Sequence, residues 1–274
     1  MTDLVRNSLF YQDRQRFEEL SLEAIQFNSV YNGNNIIQDD IFSILSNYAR
    51  RNERQMELFR FPTRDDAFCA LTCVKRGWLF AYVNSALPLS KQIFAAAHEL
   101  YHIWCFLSER DGSVLRKGSL LDAGPLEQIV KSNEDREANA FAGLLLVPSA
   151  VLWEQMKVYG ISATNPTLED VIRLMAIFAV PYKAILLRLY EEGYMNVETV
   201  ETFLQIPQEI LQRKIGYEHD AARWQRRTPE IVQMGRLQQW MEYNQEYELL
   251  PKERENKDKG ILDGIVSRYV ESNG

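Results

Sequence analysis

Two histidines and a glutamate in the segment His98-Glu99-Leu100-Tyr101-His102 have the types and spacing needed to bind a metal ion and activate water. An α-helix makes one turn every 3.6 residues, so side chains four positions apart lie on the same face. His98 and His102 can therefore bind one zinc ion, and Glu99 can reach a water on that ion. Zinc lowers the pKa of its bound water to about 7, and a carboxylate can take the proton as the water attacks a peptide carbonyl. The spacing thus predicts metal-assisted peptide hydrolysis with Glu99 as the general base.

The motif lies within a strongly apolar segment, residues 92–107, whose pattern predicts a buried helix. Polar His and Glu side chains are costly to bury without a partner. A bound metal ion would be such a partner, whereas a chance occurrence of the motif in a metal-free scaffold would leave that cost unexplained. Cys105 lies on the same stripe and its thiolate could ligate zinc, but a buried free cysteine more often packs as a small apolar side chain.

A catalytic zinc site usually has three protein ligands and one open position, so a third ligand is needed. Position 108, where a three-histidine motif of the metzincin type would continue, is Ser108, and the remaining histidine, His219, is far downstream. A second predicted helix, residues 132–147, offers carboxylates instead. Asp135 points the same way as the small, buried residues of that helix. Glu134 and Glu137 lie on either side of this stripe, and spacing alone leaves both open as ligands.

Three segments of the chain, taken in order, resemble a known family. They are Lys91–His102 (KQIFAAAHELYH), Asp135–Pro148 (DREANAFAGLLLVP) and Ile177–Tyr194 (IFAVPYKAILLRLYEEGY). The segments are similar to the signature segments of the ImmA/IrrE family of zinc metallo-endopeptidases, and the resemblance covers residues 40–196. The third segment has Pro181 where the family usually has serine, a departure that concerns no catalytic residue.

The resemblance implies a ligand set and a substrate class. The family's second segment follows the pattern E-x-x-A-N-x-F-A, and its first carboxylate corresponds to Asp135, which is one methylene shorter than Glu. Asp135 is then the third ligand of a Zn²⁺ cofactor, and Asn139 supports the ligands from the same face. The substrate is expected to be a protein, commonly a helix-turn-helix repressor that is cut to relieve repression. A rival interpretation is a metal-binding regulatory or toxin–antitoxin protein that binds its partner without cutting it, but such a binder would not need Glu99.

The composition favours a cytoplasmic protein that contacts neither membrane nor nucleic acid directly. The first thirty residues carry many charged side chains, and no apolar run is long enough to span a bilayer. Three cysteines, an odd number, do not support a disulfide framework. The net charge of −7 gives no support to binding of phosphate backbones. We interpret the basic cluster of Arg223, Arg226 and Arg227 as a solvated helix face.

Short aromatic and β-branched runs between residues 57 and 84 predict a small sheet beside the helix that carries the motif. The predicted strands are residues 58–61, 67–74 and 78–83, of which 67–74 could alternatively be helical. The predicted fold class is α+β, a mainly helical, zincin-like metallopeptidase core with a small antiparallel sheet, followed by a helical C-terminal region. By analogy with zinc peptidases, such a sheet would hold an extended substrate by strand addition.

The pattern of helices and charges divides the chain into four predicted segments. They are an N-terminal helical segment (1–56), the zincin-like core (57–160), a helical segment packing on the core (161–204) and a charged helical C-terminal region (205–274). Residues 108–124, with three glycines, predict a loop or flap between the two site helices. Residues 208–247 have apolar residues at helical spacing among many charges. They are either a partner-binding or self-associating arm or a surface cap on the same core.

Overall fold

The computed structural model describes residues 2–33, 35–109, 113, 115 and 133–270, and within these ranges helices predominate. The helices are α1 (Asp3–Arg6), α2 (Leu9–Gln12), α3 (Arg14–Asn32), α4 (Ile41–Arg51), α5 (Leu89–Leu107), α6 (Asn133–Leu146), α7 (Ser149–Val158), α8 (Leu168–Phe178), α9 (Tyr182–Glu191), α10 (Val197–Leu204), α11 (Gln208–Tyr217), α12 (His219–Gln225), α13 (Leu237–Glu246) and α14 (Lys252–Val270). The strands are β1 (Met56–Phe61), β2 (Ala70–Lys75), β3 (Trp78–Asn84) and β4 (Gln233–Met234). The predicted mainly helical α+β fold is confirmed. Most of the loop predicted at residues 108–124 lies outside the described residues.

The prediction of an antiparallel sheet is wrong in one respect, because the sheet is mixed. The strand order is β2-β3-β1-β4, with β1 parallel to β3 and the two other pairs antiparallel. Only residues 62–69 connect β1 to β2, so β2 begins at the end of the sheet where β1 stops and runs in the opposite direction. β3 turns back across Arg76 and Gly77, which both have positive φ (52° and 81°) as in a type I′ hairpin. β3 therefore runs parallel to β1. The alternative of a helix at residues 67–74 is wrong.

The two faces of the sheet differ because side chains alternate along each strand. Leu79, Ala81 and Val83 of β3 are buried under the helices. Phe80 and Tyr82 point to the opposite face and remain half-buried, with Phe80 stacked on Phe59 of β1. One side of the sheet is thus fixed against the helical layer, and the other side carries an aromatic surface.

α5 is the helix around which the structure is organised. It contacts the sheet, α4 and α6, and most of its residues are buried, as the apolar pattern of residues 92–107 predicted. α6 packs against it, and the buried residues of α6 include Ala138 and Ala142. This packing places the first turn of α6 against the middle of α5. Although α5 is apolar, no described helix combines the length and apolarity needed to cross a bilayer.

The C-terminal region packs partly on the main body. Leu211 and Ile215 of α11 and Trp224 of α12 join the hydrophobic core, where α11 and α12 contact α8. β4 then adds a short strand to β1. In the part of residues 208–247 that precedes α13, the structure thus agrees with the surface-cap interpretation. Self-association through residues 208–247 stays a prediction.

Candidate metal centre

α5 and α6 bring together three potential metal donors. The Nε2 atoms of His98 and His102 lie 3.1 Å apart. Oδ1 of Asp135, in the first turn of α6, is 3.8 Å from Nε2 of His98 and 3.4 Å from Nε2 of His102. Among the described residues, these three form a group of donor atoms that can hold a metal ion. Asp135 is therefore the carboxylate that faces both imidazoles.

The other nitrogen of each imidazole is engaged by a residue of α6. Nδ1 of His98 lies 3.0 Å from Oδ1 of Asn139, and Nδ1 of His102 lies 2.7 Å from Oε1 of Glu134. Both partners are acceptors, so each Nδ1 carries the hydrogen and each Nε2 can offer a lone pair to a metal ion. The contact of Asn139 agrees with what the family resemblance implied. The role of Glu134 was missed, since spacing only left it open as a ligand.

The dimensions and chemistry of the donor set fit a zinc ion. Donors about 2.0–2.1 Å from a tetrahedral zinc are about 3.3 Å from one another, close to the distances between the two Nε2 atoms and Oδ1 of Asp135. Two neutral imidazoles and one carboxylate form a common catalytic zinc set, with a fourth position left for water or substrate. The residues present therefore fit the cofactor that the resemblance implied.

The two imidazoles have pKa values shifted in opposite directions. Burial lowers the pKa of His98 below its usual value. Burial also acts to lower the pKa of His102, but hydrogen bonds with Asp135 and Glu134 outweigh it and raise the pKa to about 10. The two imidazoles thus favour one proton in addition to their two Nδ1 hydrogens, and His102 carries this proton beside the carboxylates. A metal ion must displace that proton, so metal affinity is coupled to pH.

Glu99 is buried beside the donor group. Its carboxylate acts electrostatically on both His98 and His102, favouring positive charge there. Within the described ranges, no hydrogen bond or ion pair ties the Glu99 carboxylate to another side chain. It therefore has the position and the free acceptor oxygens that a general base for water requires.

Glu137, the second alternative ligand, points away from the donor group. Its carboxylate accepts hydrogen bonds from the Tyr101 hydroxyl and, at 2.9 Å, from Nη2 of Arg16 on α3. Tyr101 also hydrogen bonds with the buried Cys105, so this thiol lies with Tyr101 and outside the donor group. The hydrogen bonds of Glu137 thus join α3, α5 and α6 away from the donor group. No sequence signal pointed to Arg16, which is 121 residues from Glu137.

A comparison with protein families matches residues 79–190 to a peptidase family whose model is described as the IrrE N-terminal-like domain. The chain contains an IrrE N-terminal-like domain. The family resemblance seen in the sequence is thereby confirmed. This IrrE-like domain contains the whole donor group together with Glu99, Glu134 and Asn139. A comparison with curated proteins gives no match.

Elements outside the matched residues 79–190 also pack against the IrrE-like domain. The IrrE-like domain extends from β3 to α9 and includes α5 and α6. β1, β2, α3 and α4 precede it, although β1 and β2 pair with β3 and α3 packs on α6. The match of this domain to a peptidase family and the donor group together indicate a function of the metallopeptidase type.

Proposed function

We propose that the protein is a zinc-dependent endopeptidase in which His98, His102 and Asp135 bind zinc and Glu99 is the general base. The observation that carries this proposal is the orientation of the two imidazoles. Glu134 and Asn139 hold their Nδ1 atoms, and both Nε2 atoms face Asp135. Structural support of this kind on the distal nitrogens is typical of metal ligands. The match to a peptidase family supports the same conclusion.

The chain's own residues can carry out the proton transfers of peptide hydrolysis. When bound, zinc polarises the scissile carbonyl and lowers the pKa of water in the site. Glu99 takes a proton from the attacking water as the water oxygen bonds to the carbonyl carbon. It then gives this proton to the amide nitrogen as the C–N bond breaks, which yields a free carboxyl and a free amine. Glu134 and Asn139 keep the imidazoles oriented throughout.

The substrate is proposed to be a protein that binds in an extended conformation. β2 contacts α5 and pairs with β3 on one side, and its other edge pairs with no described strand. An extended peptide can add to such an edge through backbone hydrogen bonds. From the family resemblance we propose a cytoplasmic helix-turn-helix repressor as the substrate, with no direct contact between this chain and nucleic acid.

Cleavage of a repressor encoded beside the gene, with purified proteins and added zinc, tests the proposal. The wild type should produce a discrete cleavage product. Glu99→Gln should bind zinc as the wild type does and cut at least about 100-fold more slowly, because Gln cannot accept the proton. Glu154→Gln, at an exposed position of α7, is the matched control and should cut normally.

Two outcomes would contradict the peptidase proposal. Cleavage by Glu99→Gln at the wild-type rate would exclude Glu99 as the base. A wild-type protein that binds zinc and the repressor but leaves the repressor intact would favour the rival function, a regulatory protein that acts by binding alone.

A further inference from the structure

A cleft that is separate from the donor group opens between α4, β1, the start of α5 and the segment that leads into β4. Its volume is about 520 Å³, which lies in the range of small-molecule sites. Gln92, which contacts one wall of this cleft through Arg60, precedes His98 by six residues. At 1.5 Å per residue this is about 9 Å along the axis of α5. The cleft is therefore a place where a second ligand could bind without contacting the zinc donors.

Arg60 supplies the cleft with a cation that no carboxylate in the described part of the chain neutralises directly. Its guanidinium is largely buried, and its Nε is fully buried without a hydrogen-bond partner among the described residues. Nη2 donates to Oε1 of Gln92 at 2.9 Å, and the guanidinium lies 3.8 Å from the centre of the Phe42 ring. No carboxylate of the described chain is within ion-pair distance of Arg60, since Asp39 acts on it only at longer range.

The position of Arg60 is fixed by Gln92. The side-chain nitrogen of the fully buried Gln92 has two hydrogens, which are shared among the carbonyl oxygens of Leu87 (2.7 Å) and Ser85 (3.2 Å) and the hydroxyl oxygen of Thr228 (2.9 Å). Its oxygen is thereby turned towards Arg60. A buried, unsatisfied donor on a charged group is costly, because the lost hydration is not replaced. An anionic group in the cleft would compensate the charge of this guanidinium.

The remaining lining narrows the class of ligand. The exposed carboxylates of Asp39 and Asp40 lie at the cleft, together with the hydroxyl of Ser46, while Phe42 and Leu58 make part of it apolar. Two carboxylates beside one guanidinium repel ligands with several negative charges, but they can accept hydrogen bonds from ammonium or hydroxyl groups. The lining thus suits a ligand with one negative charge, hydrogen-bond donors and an apolar part.

We propose that this cleft binds a small molecule that carries a carboxylate and a nearby ammonium or hydroxyl group, as in an amino acid or a hydroxy acid. The carboxylate pairs with Arg60, and the donor group is bound by Asp39 or Asp40. The cleft lies where the N-terminal helices, α5 and the C-terminal segment meet, since Ile231 and Gln233 also line it. Binding would therefore connect three parts of the chain that are far apart in sequence.

Isothermal titration calorimetry on the full chain tests this assignment, with the twenty common L-amino acids, lactate and glycerate as probes and with AMP and inorganic phosphate as the phosphate arm. At least one amino or hydroxy acid should bind saturably, one molecule per chain. Arg60→Gln should weaken that binding about tenfold or more, since a hydrogen bond to a charged group is lost. Asp39→Asn should weaken it as well. Arg76→Gln, on the β2–β3 turn outside the cleft, should bind like the wild type.

Ser46→Leu is a second variant that narrows the cleft from α4 without changing Arg60, and it should also reduce binding. It keeps the proposal testable if Arg60→Gln fails to fold. The proposal is overturned if none of the acids binds or if only AMP or phosphate binds. It is also overturned if Arg60→Gln binds the acid as the wild type does. Where Arg60→Gln does not fold, unchanged binding in Ser46→Leu overturns it. Glu99→Gln should bind the acid as the wild type does, so the outcome is independent of the peptidase proposal.

Discussion

Oε1 of Glu134 lies 2.7 Å from Nδ1 of His102, so Glu134 orients an imidazole and leaves the metal-facing position to Asp135. The two carboxylates are adjacent in sequence and serve the same histidine from opposite sides of its ring. A carboxylate on Nδ1 makes the other ring nitrogen more basic and fixes the ring plane. This relationship separates the roles of two residues that helical spacing alone could not distinguish.

Removing this carboxylate should weaken zinc binding without abolishing it. For Glu134→Ala we expect an affinity about 10- to 100-fold lower, the usual effect of losing an outer partner of a metal ligand. Glu134→Gln keeps an acceptor oxygen for Nδ1 and should lose less. Competition with a chromophoric zinc chelator measures both, with Glu154→Ala as an exposed control. An unchanged affinity in Glu134→Ala would show that the contact does not support the ligand.

Asp135 and Glu137 should respond differently to the loss of charge. Asp135→Asn removes a proposed ligand, and its zinc affinity should fall by at least the factor expected for Glu134→Ala. Glu137→Gln should keep zinc but lose about 1–3 kcal/mol of unfolding free energy, because Arg16 and Tyr101 lose their charged partner. Zinc titration and urea denaturation of both variants separate the two effects. If zinc binding fails in Glu137→Gln and persists in Asp135→Asn, the ligand assignment is wrong.

Replacing only one partner of the buried ion pair between Arg188 and Glu191 should lower the free energy of unfolding strongly. Nη1 of Arg188 donates to Glu191 at 2.7 Å, and Nε donates to the carbonyl oxygen of Val147 at the end of α6. Burial raises the pKa of Glu191 although Arg188 opposes it. Arg188→Met should therefore lower the unfolding free energy by about 3–5 kcal/mol.

The matching double variant tests the reason for that loss. Arg188→Met combined with Glu191→Leu removes the fully buried carboxylate together with its cation, while the partly exposed Glu192 keeps its hydrogen bond from Ser149. This double variant should recover much of the stability. Urea denaturation of the single and double variants gives the comparison. A double variant as unstable as the single one would indicate that the bond to Val147 matters more than the charge.

The contact between Arg227 and Asp66 should be visible in the titration of Asp66. Arg227 donates two hydrogen bonds to this carboxylate, at 2.7 Å and 3.1 Å, and these bonds lower the pKa of Asp66 below its ordinary value. The contribution of this contact to stability is present above the pKa that Asp66 has in the unfolded chain, and it is lost as the pH falls through the pKa that Asp66 has in the folded protein. It should be small, because both side chains are about half exposed.

The NMR chemical shift of the Asp66 carboxyl carbon, followed as a function of pH, measures this pKa directly. In Arg227→Gln the pKa of Asp66 should return to about its ordinary value near 3.9, and in Arg226→Gln, whose side chain pairs with Glu230 instead, it should stay low. An unchanged pKa in Arg227→Gln would mean that the segment after α12 does not dock on the β1–β2 loop in solution.

The parts of the site that the sequence predicted all depend on neighbours within one helix. His98, Glu99 and His102 share a turn of α5, and Asp135 and Asn139 share a stripe of α6, because the helical period fixes which side chains point together. The apolar runs likewise predicted the helical character and the existence of the strands. They did not predict the parallel pairing of β1 with β3, since alternation along a strand does not identify its partner.

The sequence by itself therefore determined the chemistry that α5 and α6 offer, and the tertiary structure decided how that chemistry is arranged. Only the packing of α6 on α5 turns Glu134 to Nδ1 of His102 and Asp135 to the Nε2 atoms. The contact of Arg16 with Glu137 and the bond from Arg60 to Gln92 join residues on different elements. The physical reason is that periodicity fixes directions within an element, whereas the rotation and offset between elements are set by how all their side chains pack together.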